Sequence, residues 1–512
     1  MRRQALRTLL AYRRRLQAPG SRLQGEENAS STTGVSPGRR RRRAKRRARE
    51  RGIALVMVMG AIAILTVMLA EFQDETSAEL AAATAQRDGV QAEYMARSAL
   101  NLSRLLIASE PSMRKAMAPL FMMMKKTPPQ LPLWEFSDRL LGAFNDQEGN
   151  GDFERTAGVD ISQGKNLGMP NGRWELVIVD EDAKINMNLG AANEIAHIRL
   201  AKEIMGLITP MQYDPLFSQL DNSSGNYADR FQTCQAIIDW ADVDEQGFNC
   251  DLRQMTAAAS AGVEDNIYGT LPKPYRRKNA PYDSLEELHM VRGVNEDFWA
   301  TFIDPNPSDP KKRVVTVWGQ GAINVNTANA QTLHAVVCSG ALPTTPICID
   351  PNQAALFITG VTMARGITMG APLFGSARDF VSALSGQGQL GPLLAGMGMQ
   401  PVQFQSPAEF QKSITTESKM FSVYAVGIKK GYRRETRVKL HAVIDFRNAP
   451  AMGQMPGMAG TAGMPGMPGM PGATNPLQPN AGMQGAVPAG ADAIAAANMP
   501  STGGTVVYFR VE

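Results

Sequence analysis

Residues 53–70 run Ile-Ala-Leu-Val-Met-Val-Met-Gly-Ala-Ile-Ala-Ile-Leu-Thr-Val-Met-Leu-Ala, eighteen positions without a charge. As a helix rising 1.5 Å per residue they span roughly 27 Å, enough to cross the hydrocarbon of a bilayer. Ten of the thirteen residues at 39–51 are Lys or Arg. Cations on that flank keep it cytoplasmic, so the chain beyond residue 70 is expected to be exported. The positive charge is confined there: residues 1–52 carry a net +14 and residues 53–512 a net −9. An acidic body gives no electrostatic footing for general nucleic-acid binding. After Gly52 the first proline is Pro111, and the stretch between is rich in alanine (Ala78, Ala81, Ala82, Ala83, Ala85, Ala92, Ala96, Ala99). Residues 53–109 therefore read as one helix about 85 Å long.

Beyond this rod, Arg173-Trp-Glu-Leu-Val-Ile-Val-Asp180 alternates as a half-buried strand does, and Glu181-Asp-Ala-Lys-Ile-Asn-Met-Asn188 reads as a turn into a second strand. The period then turns helical, at 191–206, 227–241, 284–292 and 295–302, with Ser284-Leu-Glu-Glu287 as a capping box. Strands resume at 313–318 and 322–326, and 420–428 and 436–446 read as two more around a 429–434 turn. Residues 449–503 include three consecutive Met-Pro-Gly units at 464–472 and read as a disordered loop. A last strand is expected at 505–511, so the loop is an insertion between two strands. The pattern predicts an α+β fold: a long N-terminal helix packed on an antiparallel sheet, with an inserted all-α domain. The expected segments are 1–52, the helix 53–110, an α/β part 111–189, the helical domain 190–312, strands with a mixed helical region at 313–448 (328–415), the loop 449–503 and the strand 504–512.

The junction Arg49-Glu-Arg-Gly52-Ile53 resembles the leader of type IV pilin-like proteins, and no small-residue cleavage site succeeds the apolar run as in a secretory signal. The resemblance implies that an inner-membrane prepilin peptidase cuts after Gly52 and that Ile53, the new terminus, is methylated. In most such proteins the fifth mature residue is Glu, whose carboxylate pairs with the terminal amine of a neighbour. Here it is Met57, so this subunit is expected not to accept a partner above it in the ordinary way.

Further motifs are Val179-Asp-Glu-Asp-Ala-Lys-Ile-Asn-Met-Asn188, Ile238-Asp-Trp-Ala-Asp-Val-Asp244, Pro274-Tyr-Arg-Arg-Lys-Asn-Ala-Pro-Tyr-Asp-Ser-Leu-Glu-Glu-Leu288, Val291-Arg-Gly293 and Ile323-Asn-Val-Asn-Thr-Ala328. Together they resemble the minor pseudopilin K (GspK) family of bacterial type II secretion systems. The resemblance implies a noncatalytic, single-pass inner-membrane subunit with a large periplasmic domain and a pilin-like fold. It implies partnership with minor pseudopilins I and J, other pseudopilins, the inner-membrane secretion platform and the prepilin peptidase. It places the protein at the pseudopilus tip, where assembly starts and folded cargo is pushed across the outer membrane.

Carboxylates cluster at Asp239, Asp242, Asp244 and Glu245, with Glu264 and Asp265 a short loop away. Oxygen ligands at this density suit Ca²⁺, although a solvated acidic loop has the same composition. The family resemblance, with Ala261-Gly-Val-Glu-Asp265 similar to a calcium loop, implies a structural Ca²⁺ there. The cysteines form two close couples, Cys234/Cys250 and Cys338/Cys348, without CxxC spacing. They fit two local disulfides of an exported domain, or four buried thiols. Residues 285–293 and 324–333 resemble halves of helix–hairpin–helix modules, which leaves a component of a related type IV pilus or DNA-uptake machine as the alternative. Against it, Gly293-Val294 is followed by Asn295 rather than glycine, and an acidic body repels phosphate. Gly386-Gln-Gly-Gln-Leu-Gly391 comes after a helical pattern rather than a strand, and the sequence contains no GxSxG, HExxH or P-loop, so no enzyme is expected.

Overall fold

A computed structural model describes residues 37–123, 127–145, 166–218, 228–251, 268–271, 273–368, 370–388, 391–431, 434–450 and 501–512. Most of the basic leader, the Met-Pro-Gly loop, Glu264 and Asp265 lie outside them. The chain forms two compact units, 1–83 and 84–512. The first helix, α1 (Pro37–Met123), passes through both and carries the stretch apolar enough to cross a membrane.

Alternation and β-branched residues set the sheet. Strands β1 (Gly172–Asp180), β6 (Met420–Lys430), β7 (Glu435–Asp445) and β8 (Thr505–Val511) form one sheet in the order β1-β6-β7-β8. Every pairing is antiparallel, from Gly172↔Lys429 to Asp180↔Phe421 in the first ladder. One face presents Trp174, Leu176, Ile178, Phe421, Val423, Ala425, Leu440, Ala442 and Ile444 to α1. The helix answers with Met95, Ala96, Ala99, Leu100, Ile107 and Ala108, the i, i+3, i+4 spacing of a single apolar stripe. Each large side chain so buried contributes roughly 1.5–3 kcal/mol.

The helix does not stop at Ser109 as the sequence suggests; it continues through Pro111 and Pro119 to Met123. A proline inside a helix removes a donor and crowds the carbonyl four residues back. Here Glu110 bridges the break: its carboxylate accepts from Arg114 Nη2 at 3.0 Å and from the Leu131 backbone N–H at 3.0 Å. The start of the expected α/β part at 111–189 is thus the last three turns of the rod.

The second core differs from expectation in extent. A single apolar cluster reaches from Ala183 to Ile414, so 190–312 and 328–415 are one helical body and not two. Its centre is the pair α2 (Glu194–Ile208) and α4 (Ala330–Gly340), with α3 (Arg230–Ala241) beside α2. Gly206 lets α2 approach so closely that a Cβ there would overlap the Ala335 carbonyl. The strands expected at 313–318 and 322–326 shrink to β3 (Val315–Thr316), parallel to β2 (Ile185–Asn186), and β4 (Ile323–Asn324), parallel to β5 (Ile414–Thr415). Their polar side chains take up the next backbone donors: Thr316 Oγ1 accepts from the Trp318 N–H and Asn324 Oδ1 from the Asn326 N–H, both at 3.0 Å. Such bonds compete with ladder extension. The expected capping box at Ser284 is also absent. Ser284 makes no side-chain cap bond, 285–290 is a 3₁₀ turn, and Glu287 accepts from Asp283 N–H and Lys278 instead. A capping box does form at Asp229 and Gln232, opening α3.

Candidate functional site

The residues expected at the membrane end lie along α1. Gly52, Ile53 and Met57 fall within one uninterrupted helix, and Ile53 and Met57 are exposed. Met57 brings no charge to this apolar face, and no ionisable side chain occurs until Glu71.

The acidic loop is built at the C-terminal end of α3. Asp239 sits on the last turn, Asp242 succeeds the final helical residue, and Asp244 and Glu245 turn outward to solvent. Asp239 Oδ1 accepts from Phe248 N–H at 2.8 Å, and Asp244 Oδ1 from Gln246 N–H at 2.7 Å. Arg277, itself buried, threads behind the loop. Its guanidinium donates to the backbone carbonyls of Asp239 and Asp244 and lies 3.9 Å from Asp242 Oδ1. Burial pushes both Asp239 and Asp242 up to about 7; the neighbouring carboxylates add to this and Arg277 opposes it. Asp242 Oδ1 is buried without a hydrogen-bond partner. A disulfide between Cys234 and Cys250, with Cα atoms 6.2 Å apart, closes the loop at its base. A second joins Cys338 and Cys348 at the end of α4.

A buried carboxylate oxygen without a hydrogen bond, on Asp242, beside the exposed Asp244 and Glu245, is of the oxygen chemistry that a hard divalent cation takes. Among the described residues, however, no three His, Cys, Asp or Glu side chains converge on one point. The remaining ligands would have to come from the segment that carries Glu264 and Asp265.

A buried polar junction that sequence reasoning marked only as a motif joins the sheet to the helical body. Asp180 Oδ2 accepts from Thr327 Oγ1 at 2.6 Å and from Ser418 Oγ. Asp182 accepts from the backbone N–H of Gln320, Lys419 and Met420 at 2.7, 2.7 and 3.0 Å. Glu181 accepts from Lys184 Nζ at 3.1 Å and from Thr316. Burial and the Asp182 charge raise Asp180 to about 8; burial raises Asp182 to about 6 against those three N–H donors. Burial disfavours the charge on Glu181, but Lys184 and the hydroxyl donors outweigh it and hold the carboxylate below its usual value. Fully bonded groups of this kind fix the relation of two layers and offer no open position for a ligand.

The fold is therefore α+β: a long N-terminal helix, packed through its 95–108 stretch on an antiparallel sheet, and a helical body beside it. Residues 208–303 match the family model described as Type II secretion system (T2SS), protein K. The matched stretch lies inside the helical body and makes up less than a fifth of the chain. It is 28% identical over 144 residues to "Type II secretion system protein K" of Pectobacterium carotovorum subsp. carotovorum, a stretch covering 28% of this chain and 39% of that protein. Among solved structures it is similar to a chain of the GspK-GspI-GspJ complex of the enterotoxigenic Escherichia coli Type 2 Secretion System, with 15% identity and a TM-score of 0.37 over 72% of this chain and 94% of that one.

Proposed function

We propose that the chain is a minor pseudopilin standing at the tip of a type II secretion pseudopilus. In this reading a prepilin peptidase severs the basic leader after Gly52, Ile53 is methylated, and the freed rod seats beside the rods of minor pseudopilins I and J. That complex starts fibre growth on the inner-membrane platform, and the fibre moves folded proteins through the outer membrane. The protein does no chemistry of its own. The observation that carries this reading is the pairing of two features in one chain. The rod lacks a carboxylate at its fifth position, Met57. The pilin-like sheet also bears a helical body, sharing one core from Ala183 to Ile414, that adds bulk a fibre wall would have to accommodate.

Calcium belongs to the same proposal. Asp239, Asp242, Asp244 and Glu245, with Glu264 and Asp265, would hold it, and the ion would engage the Asp242 oxygen that has no hydrogen bond.

The test is Gly52→Ala in cells carrying the whole secretion machine. Leader removal, monitored by mass spectrometry of the native protein, should stop, and secretion with it. A working protein whose terminus lies upstream of Ile53 overturns the reading.

A further inference from the structure

The two disulfides stand in different surroundings. Cys234 and Cys250 are buried inside the helical core, at 0% and 2% exposure. Cys338 and Cys348 are only partly buried, and the chain between them is exposed at Leu342, Pro343 and Thr344, as is Ile349 just beyond. An incoming thiol therefore has access to the second bridge and not to the first.

Cys338 also has a companion. It lies one turn beyond His334 on α4, so the two side chains share a helix face, and His334 Nε2 is 3.8 Å from Cys338 Sγ. The same nitrogen is 2.8 Å from the Ile347 carbonyl oxygen. A carbonyl only accepts, so Nε2 carries the proton and the imidazole is fixed as a donor. Burial holds His334 below the usual histidine value, with the Ile347 carbonyl opposing, so the ring is neutral near pH 7. Without this donor Cys338 would leave poorly, because it sits in the last turn of α4, where the helix carbonyls oppose negative charge. Cys348 has no side-chain donor at such a distance among the described residues.

We propose that Cys338–Cys348 is a thiol-exchange site for the dithiol of an oxidoreductase, with Cys348 as the sulfur attacked and Cys338 as the leaving thiolate that His334 receives. One thiolate of the dithiol bonds to Cys348 Sγ as the Cys338–Cys348 bond breaks. The bonding pair moves to Cys338 Sγ, which accepts the Nε2–H hydrogen bond; a thiolate accepts it more strongly than a disulfide sulfur does. The second thiol of the reagent, deprotonated, then displaces Cys348 from the mixed disulfide. The protein gains two electrons and, through solvent, the two protons that the dithiol lost, and the reagent leaves as a disulfide. The reverse sequence closes the bridge. Opening unties the end of α4 from the turn Pro346–Ile349, which packs on both α4 and the helix Pro351–Ile367. Exchange thus loosens one edge of the helical body and leaves the buried bridge shut. This holds whether or not the assembly reading does.

The experiment uses the full chain in neutral detergent, with dithiothreitol as the dithiol. Aliquots are quenched with an alkylating reagent, and mass spectrometry maps the labelled cysteines. Cys338–Cys348 should open at least about tenfold faster than Cys234–Cys250. With reduced glutathione and an acid quench, the mixed disulfide should map to Cys348. His334→Phe should slow opening about tenfold, since the leaving thiolate loses its donor, and His334→Gln, which keeps an N–H, should recover the rate to within about threefold. A purely structural His334 predicts the opposite sign, because a loosened fold would open both bridges faster. Equal opening of the two bridges, glutathione on Cys338, or an unchanged or raised rate in His334→Phe each overturns the proposal. If His334→Phe does not fold, the position of glutathione on the wild-type chain still decides.

Discussion

Gly427 of β6 and Ala92 of α1 touch through backbone alone: a Cβ at 427 would overlap the Ala92 carbonyl oxygen and crowd the Ala96 nitrogen. This contact sets how closely the rod lies on its sheet, and the small residues Ala92, Ala96 and Ala99 continue the approach. Gly427→Val should force helix and sheet apart. It is expected to destabilise the body by about 3 kcal/mol, the upper end of the usual overpacking range. Denaturant unfolding monitored by the fluorescence of Trp174 and Trp134, both buried in this core, measures it. An unchanged midpoint would mean that the rod does not rest on the sheet at this point.

The alternation that marked the strands is a local signal, and it served well: the last strand coincides with its expected bounds, and β1, β6 and β7 differ from theirs by one or two residues. Helix termination was less legible. Proline reads as a stop, and only the clamp of Glu110 by Arg114 and Leu131 explains why α1 continues. The buried junction could be seen as a motif but not as a device, because Glu181 and Asp182 find their partners 135 and 237 residues away. Arg277 behind the acidic loop was missed for the same reason. The sequence signal that could have found it is the basic run Arg276-Arg277-Lys278 inside the motif at 274–288. Likewise the two helical regions looked separate because the packing of α4 on α2 is written in neither stretch alone.

Glu203 of α2 is fully buried, and neither carboxylate oxygen has a hydrogen-bond partner. Burial raises it to about 8, with Arg199 opposing only weakly. A carboxyl raised above its unfolded value favours the native state in its protonated form. That stability is complete below the unfolded value near 4.5 and is lost as pH rises through about 8. Asp180, also raised to about 8, acts in the same direction. Thermal melting should therefore fall between about pH 5 and about pH 8 and level off beyond. Glu203→Leu should remove the share of that slope due to Glu203, leaving the share due to Asp180 and the other raised carboxyls, and stabilise the protein on the alkaline side by about 1–3 kcal/mol, the penalty of an unpaired buried polar group. A parallel pH profile in the variant would show that Glu203 is not the titrating group.

The two disulfides close loops of 16 and 10 residues. Chain-entropy reasoning assigns about 3 kcal/mol to each. Replacing Cys234 and Cys250 by serine should cost about that much and lower the unfolding midpoint, and reductant should then shift it further through Cys338–Cys348. Should reductant leave the wild-type midpoint where it is, the bridges contribute nothing in solution.

If calcium occupies the loop after α3, it binds the folded chain and not the unfolded one, so stability rises with its concentration. At one hundred times the dissociation constant the gain is about 2.7 kcal/mol. Melting the full chain with calcium and with chelator should reveal that difference. Asp242→Asn should abolish it, because among the described residues of the loop Asp242 contributes the one carboxylate oxygen that is buried without a hydrogen bond. Glu409→Gln, at an exposed surface position, should leave the difference untouched. The two curves would otherwise coincide, and Arg277, 3.9 Å from Asp242, would then be the only cation the loop requires.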